Sequence, residues 1–336
     1  MTSIDDVAAA LGVSTATVSR ALRGLPGVAE ETRARVTSTA KSLGYVPSSA
    51  ASGLASGRTM AMGVLVPAID RWYFSAVLEG IDRQLRAAGY DLIVFSLGGD
   101  GVNRDRVFHR SILRKRIDAL VVMCMHLTAE EREAVQQLEY PHIVVGGAVE
   151  GVRHVGIDDA RAARDAVEHL IGHGHTRIAH MRGGGSFDID FEVPRLRGEA
   201  FRQTMADHGL PVREDWSAFG DFTFATSRVS ALALLADPAD RPTAVFCSSD
   251  EMAFGVLRAA AELGIDVPGE LSVIGIDDHE FAEPMGLTTV RQDPGDQGAY
   301  AADLLLGELL RHEPAEYPPS RPHLLIERAS TGPVRR

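Results

Sequence analysis

Residues 7–58 of the chain read VAAALGVSTATVSRALRGLPGVAEETRARVTSTAKSLGYVPSSAASGLASGR. Apolar residues recur at helical spacing over Ile4–Leu11 and again over Thr15–Leu22, which predicts two short helices. Gly12 suits the left-handed end of the first helix, and Ser14 suits the N-cap of the second. Two short helices joined by so short a turn are typical of a helix-turn-helix.

A third helix is predicted over Glu30–Leu43, because two acidic residues begin it and Gly44 follows it. This periodicity is equally compatible with a three-helix bundle that never contacts DNA. The open face of the second helix nevertheless carries side chains that can reach base edges or phosphates: Thr15, Ala16, Ser19 and Arg20.

The charge of the chain is unevenly distributed. Its 336 residues are 45% apolar and 24% charged, as in a globular protein of two or three domains, and they carry a formal net charge of −12. Residues 1–58 contain six basic and four acidic side chains, a net charge of +2, which leaves −14 for the remainder. An evenly acidic surface would repel phosphate, but this sequence predicts a mildly basic head on an acidic body.

From Met60 onward, runs of β-branched residues alternate with amphipathic segments of helical length. Strands are predicted at AMGVLV, DLIVFS, DALVVM, HIVVGG, HVGID, RIAHM, WSAFG, TAVFC, LSVIGI and TTVRQ. Helices are predicted near residues 73–88, 103–115, 129–138, 159–172, 197–208, 224–235, 250–263 and 293–310. This alternation predicts an α/β body of doubly wound parallel sheets. Two such sheets require two lobes, and a ligand would bind in the cleft beyond the carboxyl ends of their strands.

The stretch 7–58 resembles the DNA-binding head of the lactose/galactose repressor family. It follows the family's pattern of G-V-S, T-V-S-R, V-x-x-x-T-R-x-x-V and L-G-Y-x-P almost position by position. The resemblance implies that Thr15, Ala16 and Arg20 occupy base-reading positions, and Arg20 is suited to a bidentate contact with guanine. Ala16 is too small to donate a hydrogen bond and can at most contact a thymine methyl group.

The same resemblance implies a helix-turn-helix DNA-binding domain at residues 1–47, followed at residues 48–58 by a hinge helix. In the family this hinge folds on the minor groove and wedges a leucine, here Leu54, into a central base step. The positions that usually contact phosphates, or the backbone beside them, are Ser14, Thr17 and Ser19.

The body also resembles this family, at GVLVPAIDRWYFSAVLEGI, V-x-I-D-D, CSSDEMAFGVLRAAAELGIDVPGELSVIGIDD and TTVRQD. The implied fold is that of periplasmic sugar-binding proteins, with chain crossovers near residues 158, 286 and 320. Residues 59–336 then form an effector-binding and dimerisation domain. Its N-lobe is expected at about 59–158 plus 287–320, and its C-lobe at about 159–286 plus 321–330.

By matching position, the resemblance also implies a set of effector-binding residues. They are Tyr73, Phe74, Asp158, Arg197, Phe222, Ser249, Asp250, Asp277 and Gln292. Carboxylates and arginine can hold paired sugar hydroxyls, and aromatic faces can cover the apolar side of the ring. Four assignments stay open. Asp250 also suits a helix cap, Phe74 also suits the core, and Arg195 is the alternative to Arg197. Asp277 ends a strand in a loop rich in acidic residues and is compatible with contact to solvent or to the other lobe.

Other features predict what the protein lacks. Cys124 and Cys247 lie in apolar runs, which predicts buried thiols in a reduced cytoplasm. The start of the sequence is acidic, and no apolar stretch reaches about 18 residues. We therefore expect that the protein is not secreted and does not span a membrane. His173, His175 and His180 predict a solvated loop rather than a metal site, and no cofactor motif is present.

These features predict a cytoplasmic, homodimeric transcription regulator. It is expected to repress carbohydrate-utilisation genes and to leave a palindromic double-stranded DNA operator when a mono- or disaccharide binds. A dimer is expected because one head alone buries too little surface for operator affinity. The alternatives are a purine or other non-sugar effector, a sugar-capture protein, and an enzyme that uses Asp158 and Asp277 as acid and base. No catalytic motif is present, so a non-enzyme is expected.

Overall fold

The structure is a computed structural model that describes residues 2–22, 24–45, 58–97, 104–105, 107–108, 116–125, 127–147, 149, 151–184, 192–311 and 320–335. The chain divides into two compact units, Met1–Met60 and Ala61–Arg336. These units lie close to residues 1–58 and 59–336, over which a head and a body are predicted.

The head contains the three predicted helices, α1 (Ile4–Leu11), α2 (Thr15–Leu22) and α3 (Glu30–Ser42). Gly12 ends α1 with a φ of 65°, and the Ser14 Oγ accepts a hydrogen bond of 3.1 Å from the Thr17 amide at the start of α2. Both local signals in the sequence therefore act as predicted. The helices bury a small shared core of Val7, Ala8, Val18, Ala21, Val36 and Ala40.

The first sheet of the body has five parallel strands in the order β2-β1-β3-β4-β5. Its strands are β1 (Ala61–Val66), β2 (Asp91–Ser96), β3 (Ala119–Met123), β4 (His142–Val145) and β5 (His154–Val155). Between them lie helices α4 (Trp72–Ala88) and α5 (Ala129–Gln136). In the inner strands β1 and β3, buried side chains on both faces explain why the sequence reads as apolar runs rather than alternating patterns.

The second sheet has six strands in the order β11-β10-β9-β8-β6-β7, parallel except where β11 pairs with β10. Its strands are β6 (Ile178–Arg182), β7 (Ser217–Phe219), β8 (Ala244–Cys247), β9 (Ser272–Asp277), β10 (Thr288–Arg291) and β11 (Leu324–Ile326). The accompanying helices are α6 (Asp159–Gly172), α7 (Glu192–Asp207), α8 (Phe224–Leu234) and α9 (Asp250–Glu262), whereas α10 (Pro294–Leu306) packs against α4 and the first sheet. The predicted α/β class with two parallel-dominated sheets is confirmed.

Three details of the body differ from the sequence prediction. The predicted return to the N-lobe at residue 287 is wrong, because β10 hydrogen-bonds to β9 and the chain leaves the second sheet only after Arg291. Strand β11 was not predicted, and α7 begins at Glu192 rather than near 197. The helix expected near residues 103–115 falls mostly outside the described residues.

Helices α4 and α10 cross in direct backbone contact. A Cβ atom on Gly80 would lie 2.0 Å from the Gly295 carbonyl oxygen, and one on Gly298 would lie 2.2 Å from the Val77 carbonyl oxygen. Only glycine permits so close an approach. The crossing places the N-terminal turn of α10 beside the start of α4. Side chains of both helices thereby reach the same cavity of the body.

Candidate functional sites

The exposed face of α2 is the candidate DNA-binding face. Val18 and Ala21 are buried against the other two helices, which turns the opposite side of α2 outward. The predicted residues divide by exposure: Ser14, Thr15, Ala16 and Arg20 are exposed, whereas Thr17 and Ser19 are half-buried. Leu54 and most of the predicted hinge lie outside the described residues.

Arg20 has an intramolecular partner in this structure. Its Nη2 donates a hydrogen bond of 3.1 Å to the Pro26 carbonyl oxygen, and its guanidinium lies against Gly27. The contact is exposed, so exchanging it for another acceptor has a low net cost. A contact with a base edge can therefore replace the contact with Pro26.

Arg33 is a structural residue of the head that the sequence analysis did not identify. It donates hydrogen bonds of 3.1 Å to the carbonyl oxygens of Ala21 and Leu25 and forms an ion pair with Glu30 at 3.4 Å. Its positive charge thus lies at the C-terminal end of α2, where a cation is favoured. Arg33 ties α3 to the end of the candidate recognition helix.

Replacing Arg33 with alanine is expected to lower the free energy of unfolding of the head by about 1–2 kcal/mol, because two hydrogen bonds and a helix-end contact are lost. Thermal unfolding of the head, followed by amide exchange in α2, measures this change. Arg35→Ala is the matched control, since Arg35 is exposed on the same helix. Equal stability of the two variants would contradict the role given to Arg33.

A cavity of about 120 Å³ lies in the body, beyond the carboxyl ends of strands from both sheets. Ligands of doubly wound sheets bind at this position. Seven of the nine predicted effector residues line it: Tyr73, Phe74, Arg197, Phe222, Ser249, Asp277 and Gln292. Further lining residues with polar side chains are Arg71, Cys124, Asp159, Asp221, Glu251 and Gln297.

Two predicted effector residues do not line the cavity. Asp158 is the N-cap of α6 and accepts a hydrogen bond of 2.9 Å from the Arg161 amide, so the next residue, Asp159, faces the cavity instead. Asp250 is fully buried behind the cavity. Its carboxylate accepts hydrogen bonds from Thr289 Oγ1 at 2.7 Å and from the His279 amide at 2.9 Å. Asp250 therefore holds the loop that follows β9, and the cap of α9 is Ser249.

Arg197 forms a buried ion pair in the cavity wall. Its Nε and Nη2 donate to Asp159 Oδ1 at 2.8 and 2.6 Å, and its Nη1 donates to the Ser248 carbonyl oxygen. Burial opposes the charge of Arg197, but the charges of Asp159 and Asp277 outweigh it and raise the pKa of the guanidinium. Arg195 lies on the outer face of α7, where it pairs with Glu192 and Glu199. The structure thus places Arg197, not Arg195, in the cavity.

A chain of hydrogen bonds crosses the cavity from α4 to β9. Tyr73 Oη donates to Gln297 Oε1 at 2.8 Å, Gln297 Nε2 donates to Gln292 Oε1 at 2.9 Å, and Gln292 Nε2 donates to Asp277 Oδ1 at 2.7 Å. Each amide both accepts and donates, so the orientation of one fixes the next. A ligand that competes for any of these atoms disturbs contacts that join the two sheets.

Several residues at the cavity have left-handed backbone conformations. The φ angle is 42° for Cys124, 53° for Asp221, 51° for Phe222 and 141° for Asp277. Such conformations are uncommon for residues other than glycine and are often found at ligand sites. All four residues lie at or just after the carboxyl end of a strand, where the chain turns away and aims their side chains at the cavity.

Burial changes the protonation of the cavity's acidic groups. It raises the pKa of Asp277 to about 6, although Arg197 and the Gln292 hydrogen bond oppose the rise. Burial and the charge of Asp277 raise the pKa of Glu251 to about 7. Burial also raises the pKa of the Cys124 thiol to about 12, so this partly exposed cysteine stays a neutral thiol. The sequence prediction included Asp277 but missed Glu251.

The three histidines predicted to lie in a solvated loop have different environments. His175 is buried, with its Nε2 3.0 Å from Ser272 Oγ and its Nδ1 3.0 Å from Thr243 Oγ1. His180 lies in β6, stacks on Phe246, and has its pKa lowered to about 3 by burial and nearby arginines. Only His173 is partly exposed, so the solvated-loop prediction is wrong for the other two.

Comparisons with known proteins agree on both units of the chain. Residues 3–48 match the family described as bacterial regulatory proteins, lacI family, and residues 167–331 match a periplasmic binding protein-like domain. The HTH-type transcriptional repressor PurR of Vibrio parahaemolyticus is 36% identical over 91% of each chain. The ribose operon repressor of Escherichia coli strain K12 is 32% identical over 98% of this chain and 100% of its own.

A solved structure extends the similarity to three dimensions. The lac repressor dimer bound to operator and the anti-inducer ONPF has a TM-score of 0.84 and 25% identity, over 98% of this chain and 99% of that chain. None of the helices in the described part of the present structure is long and apolar enough to cross a membrane.

Proposed function

Because the chain belongs to the lacI family of bacterial regulatory proteins and is a DNA-binding transcription repressor, we propose that it controls carbohydrate-utilisation genes and leaves a palindromic operator when a mono- or disaccharide enters the cavity. The observation that carries this proposal is a buried cavity in which Arg197, Asp277 and Gln292 present charged and amide groups beside aromatic rings.

This mixture of groups suits a carbohydrate. Carboxylates and guanidinium groups form charge-assisted hydrogen bonds with paired hydroxyls, and amides can both donate and accept. Tyr73, Phe74 and Phe222 supply apolar surface for the C–H face of a sugar ring. The ribose operon repressor, a relative over nearly the whole chain, supports the same ligand class.

A purine is the second candidate effector, favoured by the same three aromatic rings. A nucleobase would stack on a ring and use Gln292 or Asp277 for its edge. A nucleobase offers fewer hydrogen-bond donors than a polyhydroxylated sugar. More of the carboxylate and amide oxygens in the cavity would therefore lack a donor. The cavity's several acidic groups therefore favour the sugar.

The proposed regulator acts in the cytoplasm as a homodimer, with one head on each half of the operator. Two heads supply the contact area and the positive charges that a single head lacks. Effector and operator would favour different arrangements of the body, with a coupling of about 1–3 kcal/mol. The chain binds its effector without converting it.

A thermal-shift screen of the full chain tests the effector class. The panel contains pentoses, hexoses, disaccharides, phosphorylated sugars and nucleobases. We expect a sugar to raise the midpoint of unfolding by mass action and to be recovered chemically unchanged. Stabilisation by a nucleobase alone would indicate that the effector is a purine and not a sugar. Conversion of the ligand would contradict a non-enzymatic role.

Effector affinity is expected to rise with pH. The ionised forms of Asp277 and Glu251 accept hydroxyl hydrogen bonds more strongly than the protonated forms, and their pKa values are about 6 and about 7. Binding of a hydroxyl donor therefore lowers both pKa values and releases protons. The dissociation constant should fall about tenfold between pH 5.5 and pH 7.5, as titration calorimetry can measure.

Glu251→Gln is the matched variant for this prediction. It should bind the effector with a weaker pH dependence, confined to the range near pH 6 in which Asp277 titrates. An affinity that falls as the pH rises, or that is independent of pH in the unaltered protein, would contradict the role given to the two carboxylates.

A further inference from the structure

A cluster of metal-binding side chains lies at the far end of α6 from the cavity. His169 lies in the last turn of this helix, His173 is its C-cap four residues later, and Glu327 follows β11 on the neighbouring segment. One candidate ligand atom from each of the three lies within 4.8 Å of the others. Among the residues that the structure describes, no other group of three or more histidine, cysteine or acidic side chains meets this criterion.

The spacing of the cluster is close to that of a zinc site. Tetrahedral zinc with bonds of about 2.0–2.1 Å places its ligand atoms about 3.3 Å apart. His173 Nε2 and Glu327 Oε1 are already 3.8 Å apart. Glu327 is exposed, so its side chain can move the remaining distance without disturbing the core. Two histidines one helical turn apart lie on the same face of the helix, which brings both rings to one ion.

The surroundings hold the first ring of this cluster in place. His169 Nε2 lies 2.9 Å from Thr331 Oγ1, which in turn lies 2.9 Å from Thr288 Oγ1. The rings of His169 and His173 meet edge to face with centroids 4.6 Å apart.

We propose that His169, His173 and Glu327 form a Zn²⁺ site that fastens the C-terminal segment of the chain to α6. Water completes the coordination, since the three side chains leave one tetrahedral position open. The segment after β11 already contacts this region, because the Val334 amide donates to the His173 carbonyl oxygen at 3.1 Å. The ion adds a link between Glu327 and the helix.

The site is separate from the effector cavity. None of its three residues lines that cavity, and the two sites lie at opposite ends of α6, of which Asp159 is the first residue. Zinc binding should therefore stabilise the folded body without occupying the effector site. Because zinc binds the folded state, the midpoint of thermal unfolding rises with the zinc concentration.

Calorimetric titration of the full chain with ZnCl₂, after removal of any affinity tag, tests the proposal. We expect one saturable site per chain and a rise in the unfolding midpoint that a chelator reverses. His173→Asn and Glu327→Gln should each weaken zinc binding at least about tenfold. Removing a residue that only supports a metal ligand already costs about this much, and a direct ligand should cost no less.

His323→Asn is the matched control. His323 bonds to Asp165 at 3.0 Å on the same side of α6 but does not belong to the cluster, so this variant should bind zinc as the unaltered protein does. Unfolding midpoints measured without zinc verify that every variant is folded, and Glu327→Gln changes only an exposed side chain. Absence of saturable binding, or equal binding by the His173 and His323 variants, would overturn the site.

Discussion

Replacing Arg197 with methionine is expected to lower the free energy of unfolding of the body by about 3–5 kcal/mol and to abolish the response to effector. Asp159 would be left buried without its ionic partner, and the Ser248 carbonyl oxygen would lose a donor. The methionine fills much of the same volume, so the loss comes from electrostatics and hydrogen bonding rather than from a cavity. Chemical denaturation of the body and effector titration measure the two effects.

Arg195→Met is the matched control for Arg197→Met. Arg195 is two residues away on α7 and forms two ion pairs, but its side chain is 51% exposed, so its loss should change stability by less than about 1 kcal/mol. The double variant Asp159→Leu, Arg197→Met should be more stable than Arg197→Met alone, because the unpaired buried carboxylate of Asp159 is removed. Similar losses in the two arginine variants would contradict the buried ion pair.

Replacing Arg20 with alanine is expected to weaken binding to the preferred operator by about 1–3 kcal/mol, that is, roughly 5- to 150-fold. The loss should be confined to one base pair in each half-site, since a bidentate arginine contact specifies one guanine. Arg20 is exposed and its partner in the free protein is only the Pro26 carbonyl oxygen, so the fold should be unaffected. Affinity measured across a library of single-base operator variants gives the result.

Arg35→Ala separates specific contacts from charge. It removes the same positive charge from the head, from an exposed position on α3, and should leave the base preference unchanged. If Arg20→Ala has the same base preference as the unaltered protein, Arg20 does not read bases.

The fold could be predicted in most respects from periodicity and turn residues. The head follows from local signals alone, because Gly12 and Ser14 determine where α1 ends and α2 begins. In the body, strands buried on both faces produce recognisable runs such as Ala119–Met123. Strand β11 was missed because it is three residues long and pairs only at the sheet edge, with β10.

The location of the cavity was predictable. Which side chains face it depended on the exact positions of residues at the ends of helices and strands. The carboxylate of Asp158 is used to cap the helix at the Arg161 amide, which is why the next residue, Asp159, reaches Arg197. Asp250 was misassigned for a related reason: Gly275 leaves room for its carboxylate beneath β9, away from the cavity. Neither fact is visible in the spacing of residues.

The residues that the sequence analysis missed depend on tertiary contacts. Gln297 reaches Tyr73 only because Gly80 and Gly298 allow α4 and α10 to cross closely. Arg33 belongs to a visible T-R motif, but its partners are backbone carbonyls whose position depends on the packing of α3 against α2. Such partners become apparent only once the helices are assembled.

Footprinting of the full-length protein on genomic DNA, with and without the sugar identified by thermal shift, tests the central claim most directly. We expect a two-fold symmetric protected site upstream of a gene, with an occupancy that falls when the sugar is added. Arg197→Met should protect the same site but should not release it. Absence of any symmetric protected site, or an occupancy that is unchanged or increased by a ligand bound in the cavity, would contradict a repressor released by its effector.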